Sequence, residues 1–234
     1  MNNFIKKIKF YLERYLFEKW AFPIVKNDKI SKIIFKQYLP KKSIIVDCGA
    51  HDGADTLALA ETLQCSIHAF EPVQAIFLRL KTNTAKLSNV TCYQIALSNQ
   101  NGEQTFYVSE GGSDGSSSLL EPKDHLTDHP DTFFNSHVLV SCLTLDTWAE
   151  KYNVEFVDLL WLDMQGFELD MLKASKKILP TVKAIHTEVS TKETYKGVPL
   201  YSVLRQYLES KGFKVAVEAI PPGADMGNVF FVRS

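Results

Sequence analysis

The sequence predicts an α/β fold: a mostly parallel sheet covered by helices on both faces, with an antiparallel strand at its end. Three observations carry that prediction. From residue 43 onward, short β-branched runs alternate with helix-length segments. The run Phe156-Val157-Asp158-Leu159-Leu160-Trp161-Leu162 is nearly all apolar, as a strand buried on both faces must be. The last two runs, 213–219 and 228–233, are separated by Pro221-Pro222-Gly223 and leave no room for a crossover helix. If adjacent, they pair as antiparallel neighbours.

The elements follow in order. Residues 3–20 read as an amphipathic helix, with Phe4, Ile5, Ile8, Leu12, Tyr15, Leu16 and Trp20 at helical spacing. A second short helix is expected over 28–38, closed by Pro40. The alternating body begins with strand 44–48 and helix 54–64, then strand 66–70, helix 73–87 and strand 90–96. There the alternation stalls for about forty residues. Runs 104–108 and 137–143 look like extra strands by their β-branched and aromatic content. Between them lies the Gly-Ser segment 110–118, read as an active-site lid or a disordered loop. Helix 144–151, strand 156–163, helix 167–178 stopped by Pro180, strand 182–189 and helix 199–211 capped by Gly212 resume the pattern.

The chain of 234 residues holds one large domain, or a basic helical arm (1–42) followed by a domain (43–234). Residues 1–42 carry eleven Lys/Arg against three Asp/Glu, a balance of +8, and the remainder balances at −9. The arm therefore reads either as a helix packed on the domain or as a peripheral membrane contact. No nucleic-acid partner is expected, and a homo-oligomer is compatible with the sequence. No run of eighteen apolar residues exists, and Lys6, Lys7 and Lys9 interrupt any signal-peptide core. Cys48, Cys65, Cys92 and Cys142 lack C-x-x-C spacing and read as free thiols of a reducing, cytoplasmic compartment.

The most informative stretch is Ile44 to Gly53, a β-branched run followed by Asp47, Gly49 and Gly53 and then a helix start. Such a strand–turn–helix offers a ligand the N–H groups of a helix N-terminus. Glu71, eighteen residues after Gly53 and at the end of the next apolar run, is placed to accept from ribose hydroxyls. The spacing is G-x-x-x-G, where dinucleotide binders have G-x-G-x-x-G, and Asp52 beside the helix start would repel a pyrophosphate. The turn suits S-adenosylmethionine, with its zwitterionic end and cationic centre. A nicotinamide-dependent oxidoreductase and a non-catalytic binding module are the alternatives.

Two further blocks fall at strand ends. Asp163 closes the apolar run 156–163 and Glu168 opens the following helix, where an acid also suits the helix dipole. His186 and Glu188 alternate onto one side of strand 182–189, and a carboxylate in a central strand needs a reason. A divalent metal held by these carboxylates stays open. No zinc-hydrolase helix, nucleophile elbow, P-loop or kinase set occurs.

Over residues 43–232 the ordered blocks VDCGAHDGADT, Glu71-Pro72, Ala96-Leu97-Ser98 with Asn101-Gly102, Ser116-Ser117-Ser118-Leu119, Thr144-Leu145-Asp146, LDMQGFEL and HTEVS resemble those of FkbM-family methyltransferases. The resemblance implies a Rossmann-like, seven-stranded class I fold and S-adenosylmethionine-dependent O-methylation of a sugar or natural-product hydroxyl. It implies that Asp47, Gly49, Ala50 and Gly53 line the methionine end, with His51 standing where the family more often has Asn. Glu71 would bind ribose, Ala96 and Leu97 would flank adenine, and Asp163 would approach the methionine amine or the methyl. For the general base, Glu168 and Asp163 lead, with Glu188 and His186 behind them. The Gly-Ser loop is expected to close over the acceptor.

Overall fold

The computed structural model describes residues 24–234; the helix expected over 3–20 lies outside them. The described chain begins with a small hairpin, β1 (Val25–Lys26) and β2 (Lys29–Ile30), and a 3₁₀ helix at Lys32–Gln37. There follow β3 (Ser43–Cys48), α1 (Ala54–Thr62), β4 (Cys65–Phe70), α2 (Gln74–Thr84), β5 (Val90–Tyr93), β6 (Ala96–Leu97) and β7 (Gly102–Gly111). Next come α3 (His125–Asp128), β8 (Thr132–Leu143), α4 (Leu145–Lys151), β9 (Leu159–Leu162), α5 (Glu168–Ala174) and a 3₁₀ turn at Leu179–Thr181. The chain closes with β10 (Ala184–Ser190), α6 (Tyr201–Ser210), β11 (Phe213–Ala219) and β12 (Met226–Arg233).

Seven strands form one sheet in the order β11-β12-β10-β9-β3-β4-β5. All neighbours from β10 to β5 are parallel. The final strand of the chain is the antiparallel one. It inserts between β10 and β11 rather than sitting at the sheet's margin, so β11 forms the edge. The order reverses between β3 and β9, which makes the carboxyl ends of those strands the switch point where α/β sheets bind ligands.

Each face of the sheet carries its own core. Ile45, Trp161 and Phe230 pack with Phe35 and Leu59 on one side. Val46, Leu160, Leu162 and Phe231 pack with Trp148, Met171 and Leu204 on the other. Adjacent residues of β3 thus point to opposite faces, as the period of two requires. Asn101 and Thr144, from two of the resemblance blocks, play structural parts. Thr144 Oγ1 accepts from the Thr147 N–H at 3.1 Å to cap α4, and Asn101 Oδ1 accepts from the Thr144 N–H at 2.9 Å.

Three local expectations differ from the fold. No helix spans 28–38: Asn27, at φ 58°, turns the chain into the β1–β2 hairpin, and only Lys32–Gln37 is helical, as 3₁₀. Phe35 is drawn fully into the core, its ring 4.5 Å from Phe230, so tertiary packing decides this segment over helical spacing. The single strand expected over 90–96 is broken. β5 joins the large sheet, whereas β6 leaves it to pair with β8, which also pairs with β7 in a three-stranded sheet. The helix expected over 167–178 stops at Ala174, with Pro180 inside the separate 3₁₀ turn. All four cysteines are free. Among the described residues no helix is long and apolar enough to cross a membrane.

Candidate active site

Strand register brings the site together. Cys48 stands opposite both Phe70 and Leu162, and Leu162 opposite Thr187. The next residue of each strand is Gly49, Glu71, Asp163 and Glu188, so four positions scattered over the sequence meet at one edge. Ladder bonds continue past the strand ends and hold them there: the Asp163 N–H donates to the Cys48 carbonyl at 3.0 Å, and the Gly49 N–H to the Phe70 carbonyl at 3.2 Å. The turn that follows winds left-handed, with φ of 82° at Gly49, 50° at His51 and 89° at Gly53. A Cβ at residue 49 would lie 1.9 Å from the Asp163 carbonyl oxygen, so only glycine lets β3 and β9 end side by side. His51 is among the few side-chain types that tolerate its angle, which accounts for Asn and His serving alike there.

A cleft of about 560 Å³ opens along this edge. Glu71 stands at one end, 6% exposed, with its Oε1 accepting from the Val73 N–H at 2.8 Å. Burial lifts its carboxyl to about 7, against the downward pull of N–H groups from Val73 and His51. Ile95, Ala96, Leu97 and Phe106 supply an apolar wall. Asp163 marks the other end. Asp114, Gly115 and Ser117 of the Gly-Ser loop also border the cleft, and Asp114 is latched across it: Arg79 Nη2 donates to its Oδ2 at 2.5 Å, and its Oδ1 lies 2.9 Å from His51 Nε2. A nucleoside fits this donor set. The apolar slot suits a base, Glu71 suits a ribose diol, and β3 between β4 and β9 spaces Glu71 from Asp163 by about 10 Å, two strand widths.

The carboxylates divide by environment. Gln165 Nε2 donates to both Asp163 Oδ1 (2.7 Å) and Glu188 Oε2 (2.8 Å), tying them into one unit. Burial raises Asp163 to about 6, and burial with the charges of Asp163, Glu168 and Asp28 holds Glu188 well above the carboxylate range. Glu168 instead accepts from the Met164 N–H (2.8 Å) and the Gly166 N–H (3.3 Å), closing its own turn, and it borders neither this cleft nor its neighbour beyond Asp163. Burial pushes it up to about 7. His186 stacks on Trp161 with centroids 3.7 Å apart, and burial pushes its imidazole down to about 3, so it is neutral near pH 7. Among the described residues no three His, Cys, Asp or Glu side chains converge in a way that would hold a metal ion.

Gly49, His51, Glu71, Ala96, Leu97 and Asp163 border the cleft. Asp47, Ala50 and Gly53 do not. Asp47 is fully buried and accepts from Thr56 Oγ1 at 2.5 Å, Ala50 packs with Ala69 and Leu80, and a Cβ on Gly53 would meet Leu80 at 2.8 Å. These three shape the turn from behind. Sequence reasoning passed over Gln165 and Tyr195. Tyr195 OH lies 3.1 Å from Gln165 Oε1 and donates to the Ser116 carbonyl at 2.6 Å, while Ser118 Oγ donates to the Gln165 carbonyl at 2.9 Å. The Gly-Ser loop is thereby tied to the carboxylate pair. The φ of 51° at Gln165, followed by Gly166, is the local signal of a built turn.

Residues 47–215 match a family model described as the methyltransferase FkbM domain. The chain is 31% identical over 168 residues to 2-O-methyltransferase NoeI of Sinorhizobium fredii (strain NBRC 101917 / NGR234), covering 69% of each protein. It is 30% identical over 197 residues to Methyltransferase 1 of Beauveria bassiana (strain ARSEF 2860), covering 76% of this chain and 75% of that protein. The crystal structure of the N-terminal domain of EvdMO1, in the presence of SAH and D-fucose, shares the fold at a TM-score of 0.50 and 13% identity, over 86% of this chain and 80% of that one.

Proposed function

The chain belongs to the FkbM family of S-adenosylmethionine-dependent methyltransferases, and we propose that its acceptor is a hydroxyl of a sugar, glycan or natural product. The observation that carries this reading is one cleft that Glu71 and Asp163 both border, with an apolar wall of Ile95, Ala96, Leu97 and Phe106 between them. The NoeI relative, named for 2-O-methylation, supports a hydroxyl acceptor.

Bound S-adenosylmethionine supplies an electrophilic methyl group on a sulfonium. Glu71 holds the ribose, and the slot of Ile95, Ala96 and Leu97 takes the base. Asp163 faces the transfer end. With the cofactor bound, its methyl group would be open to attack by an acceptor hydroxyl, and Asp163 would be the group to take the hydroxyl proton. A carboxyl near 6 is ionised at neutral pH and still basic enough to help, by about 10²–10⁴-fold. Neutral Glu188 and the Gln165 amide hold Asp163 in place without competing for its charge. The Gly-Ser loop, expected over the acceptor, instead borders the cofactor cleft, where Asp114 meets His51 and Arg79 and would hold the loop against bound cofactor.

Calorimetry with S-adenosylhomocysteine and with NADH, followed by transfer of labelled methyl to a panel of glycosides, tests the reading. Binding of NADH alone would sink it. Among the described residues no metal-donor cluster converges, so EDTA should leave turnover unchanged.

A further inference from the structure

A second cavity, open to solvent, also borders Asp163. Its floor is the sheet, with Trp161 and Asp163 at β9, His186 and Glu188 on β10, and Asn228 near the amino end of β12. Its roof is the turn of the β1–β2 hairpin, which Asn228 Nδ2 clamps down by donating to the Asp28 carbonyl at 3.0 Å. We infer that this cavity is the acceptor site and that it takes a neutral, polyhydroxylated ring. The inference rests on the methyltransferase reading and deepens it.

The first support is connectivity. Asp163 is the one described residue that borders both cavities. Methyl transfer needs donor carbon and acceptor oxygen within about 3.5 Å, so the acceptor must sit against a residue that the donor also reaches, and Asp163 is that residue. Its carboxylate is the one that takes the proton.

The second support is the chemistry of the floor. Carboxyl, amide and imidazole groups are planar and match vicinal hydroxyls, which both donate and accept. Asp163 and Glu188 are held 2.7 and 2.8 Å from one Gln165 nitrogen, leaving their other oxygens for a ligand. His186 is 4% exposed, and its Nδ1 has no hydrogen-bond partner among the described residues. The His186 ring nevertheless borders the floor beside the two carboxyl groups.

The third support is charge. Lys26, Lys29 and Lys32 border the cavity, but so do Asp28, Asp55 and Asp163, and Lys32 Nζ already lies 2.7 Å from Asp55 Oδ1. The cations are matched by acids. A phosphorylated acceptor would find no surplus positive charge, whereas a neutral sugar needs none.

The test uses the full chain saturated with S-adenosylhomocysteine. Methyl β-D-glucopyranoside and methyl α-D-mannopyranoside are titrated while the His186 imidazole is followed by NMR, with glucose 6-phosphate as the anionic probe. The expected result is a saturable shift of His186 with a neutral glycoside and a weaker response to the phosphate. In turnover, Asn228→Ala should raise the glycoside KM by about tenfold or more, one hydrogen-bonded clamp being lost, with S-adenosylhomocysteine affinity within about twofold. The inference is overturned if no glycoside shifts His186, if the phosphate binds better, or if Asn228→Ala weakens S-adenosylhomocysteine as much as the glycoside. Failure of the wild-type chain to bind S-adenosylhomocysteine would instead overturn the methyltransferase reading itself.

Discussion

The proposed role of Glu71 as the ribose ligand makes cofactor binding depend on pH. The Glu71 carboxyl is buried and lifted to about 7, so near pH 7 about half the free protein carries a proton there. A ribose diol donates two hydrogen bonds to an ionised carboxylate, so binding expels that proton. The apparent Kd then scales as one plus the ratio of protonated to ionised Glu71. S-adenosylhomocysteine should bind about tenfold more weakly at pH 6 than at pH 8, a difference of about 1.4 kcal/mol. Glu71→Gln removes the titration while keeping the shape, because its amide oxygen can still accept from the Val73 N–H. Losing the charge-assisted contact costs about 1.5–3 kcal/mol, so the variant should bind roughly 10- to 150-fold more weakly at pH 8 and show no slope from Glu71. Calorimetry in buffers of different ionisation heat reads both the affinity and the released proton. A wild-type affinity that is flat from pH 6 to pH 8 would refute the reasoning. So would a variant that kept the full slope, since the proton would then belong to Asp163, itself raised to about 6.

Three other outcomes are expected. Gly49→Ala places a Cβ 1.9 Å from the Asp163 carbonyl at a φ of +82°, forcing β3 and β9 apart; the variant should lose about 3 kcal/mol or more of stability in urea melts together with cofactor binding, and a wild-type midpoint would show that the turn relaxes freely. Asp47 is raised from its ordinary 3.8 to about 7 by burial, so its contribution to stability is fully present below about pH 4 and is lost as pH rises through 7. Asp47→Asn should therefore make the fall in stability between pH 4 and pH 8 shallower by about 4 kcal/mol, and an unchanged slope would place the titration on another carboxyl. Asp114→Ala breaks a half-exposed latch, so S-adenosylhomocysteine should dissociate faster with its Kd within about fivefold; an abolished affinity would make Asp114 a direct ligand contact.

The central part of the fold was legible because its signals are local. The β3 turn, with β-branched residues, an acid and two glycines before a helical run, is written within twenty residues, and Glu71 follows at the distance one βα unit needs. Sequence separation hid the rest. The β1–β2 hairpin forms where Phe35 finds Trp161, His186 and Phe230 from distant strands, and those contacts outweigh a helical pattern. The last two strands announced their antiparallel pairing through a short connection, but only packing inserts β12 between β11 and β10. At the site, the identities of Asp163, Glu168, Glu188 and His186 were readable as polar residues in apolar surroundings. Their division of labour was not, because it depends on which neighbour each oxygen meets. Backbone N–H groups occupy Glu168, while Gln165, beside Asp163, reaches Glu188 across 23 residues of chain and joins the two. The sequence by itself determined the parallel α/β body and the nucleoside-binding edge, since strand, turn and helix preferences act between near neighbours. Tertiary structure alone decided that Asp163 stands between two cavities, since a shared wall exists only once β9, β3 and β10 are in register.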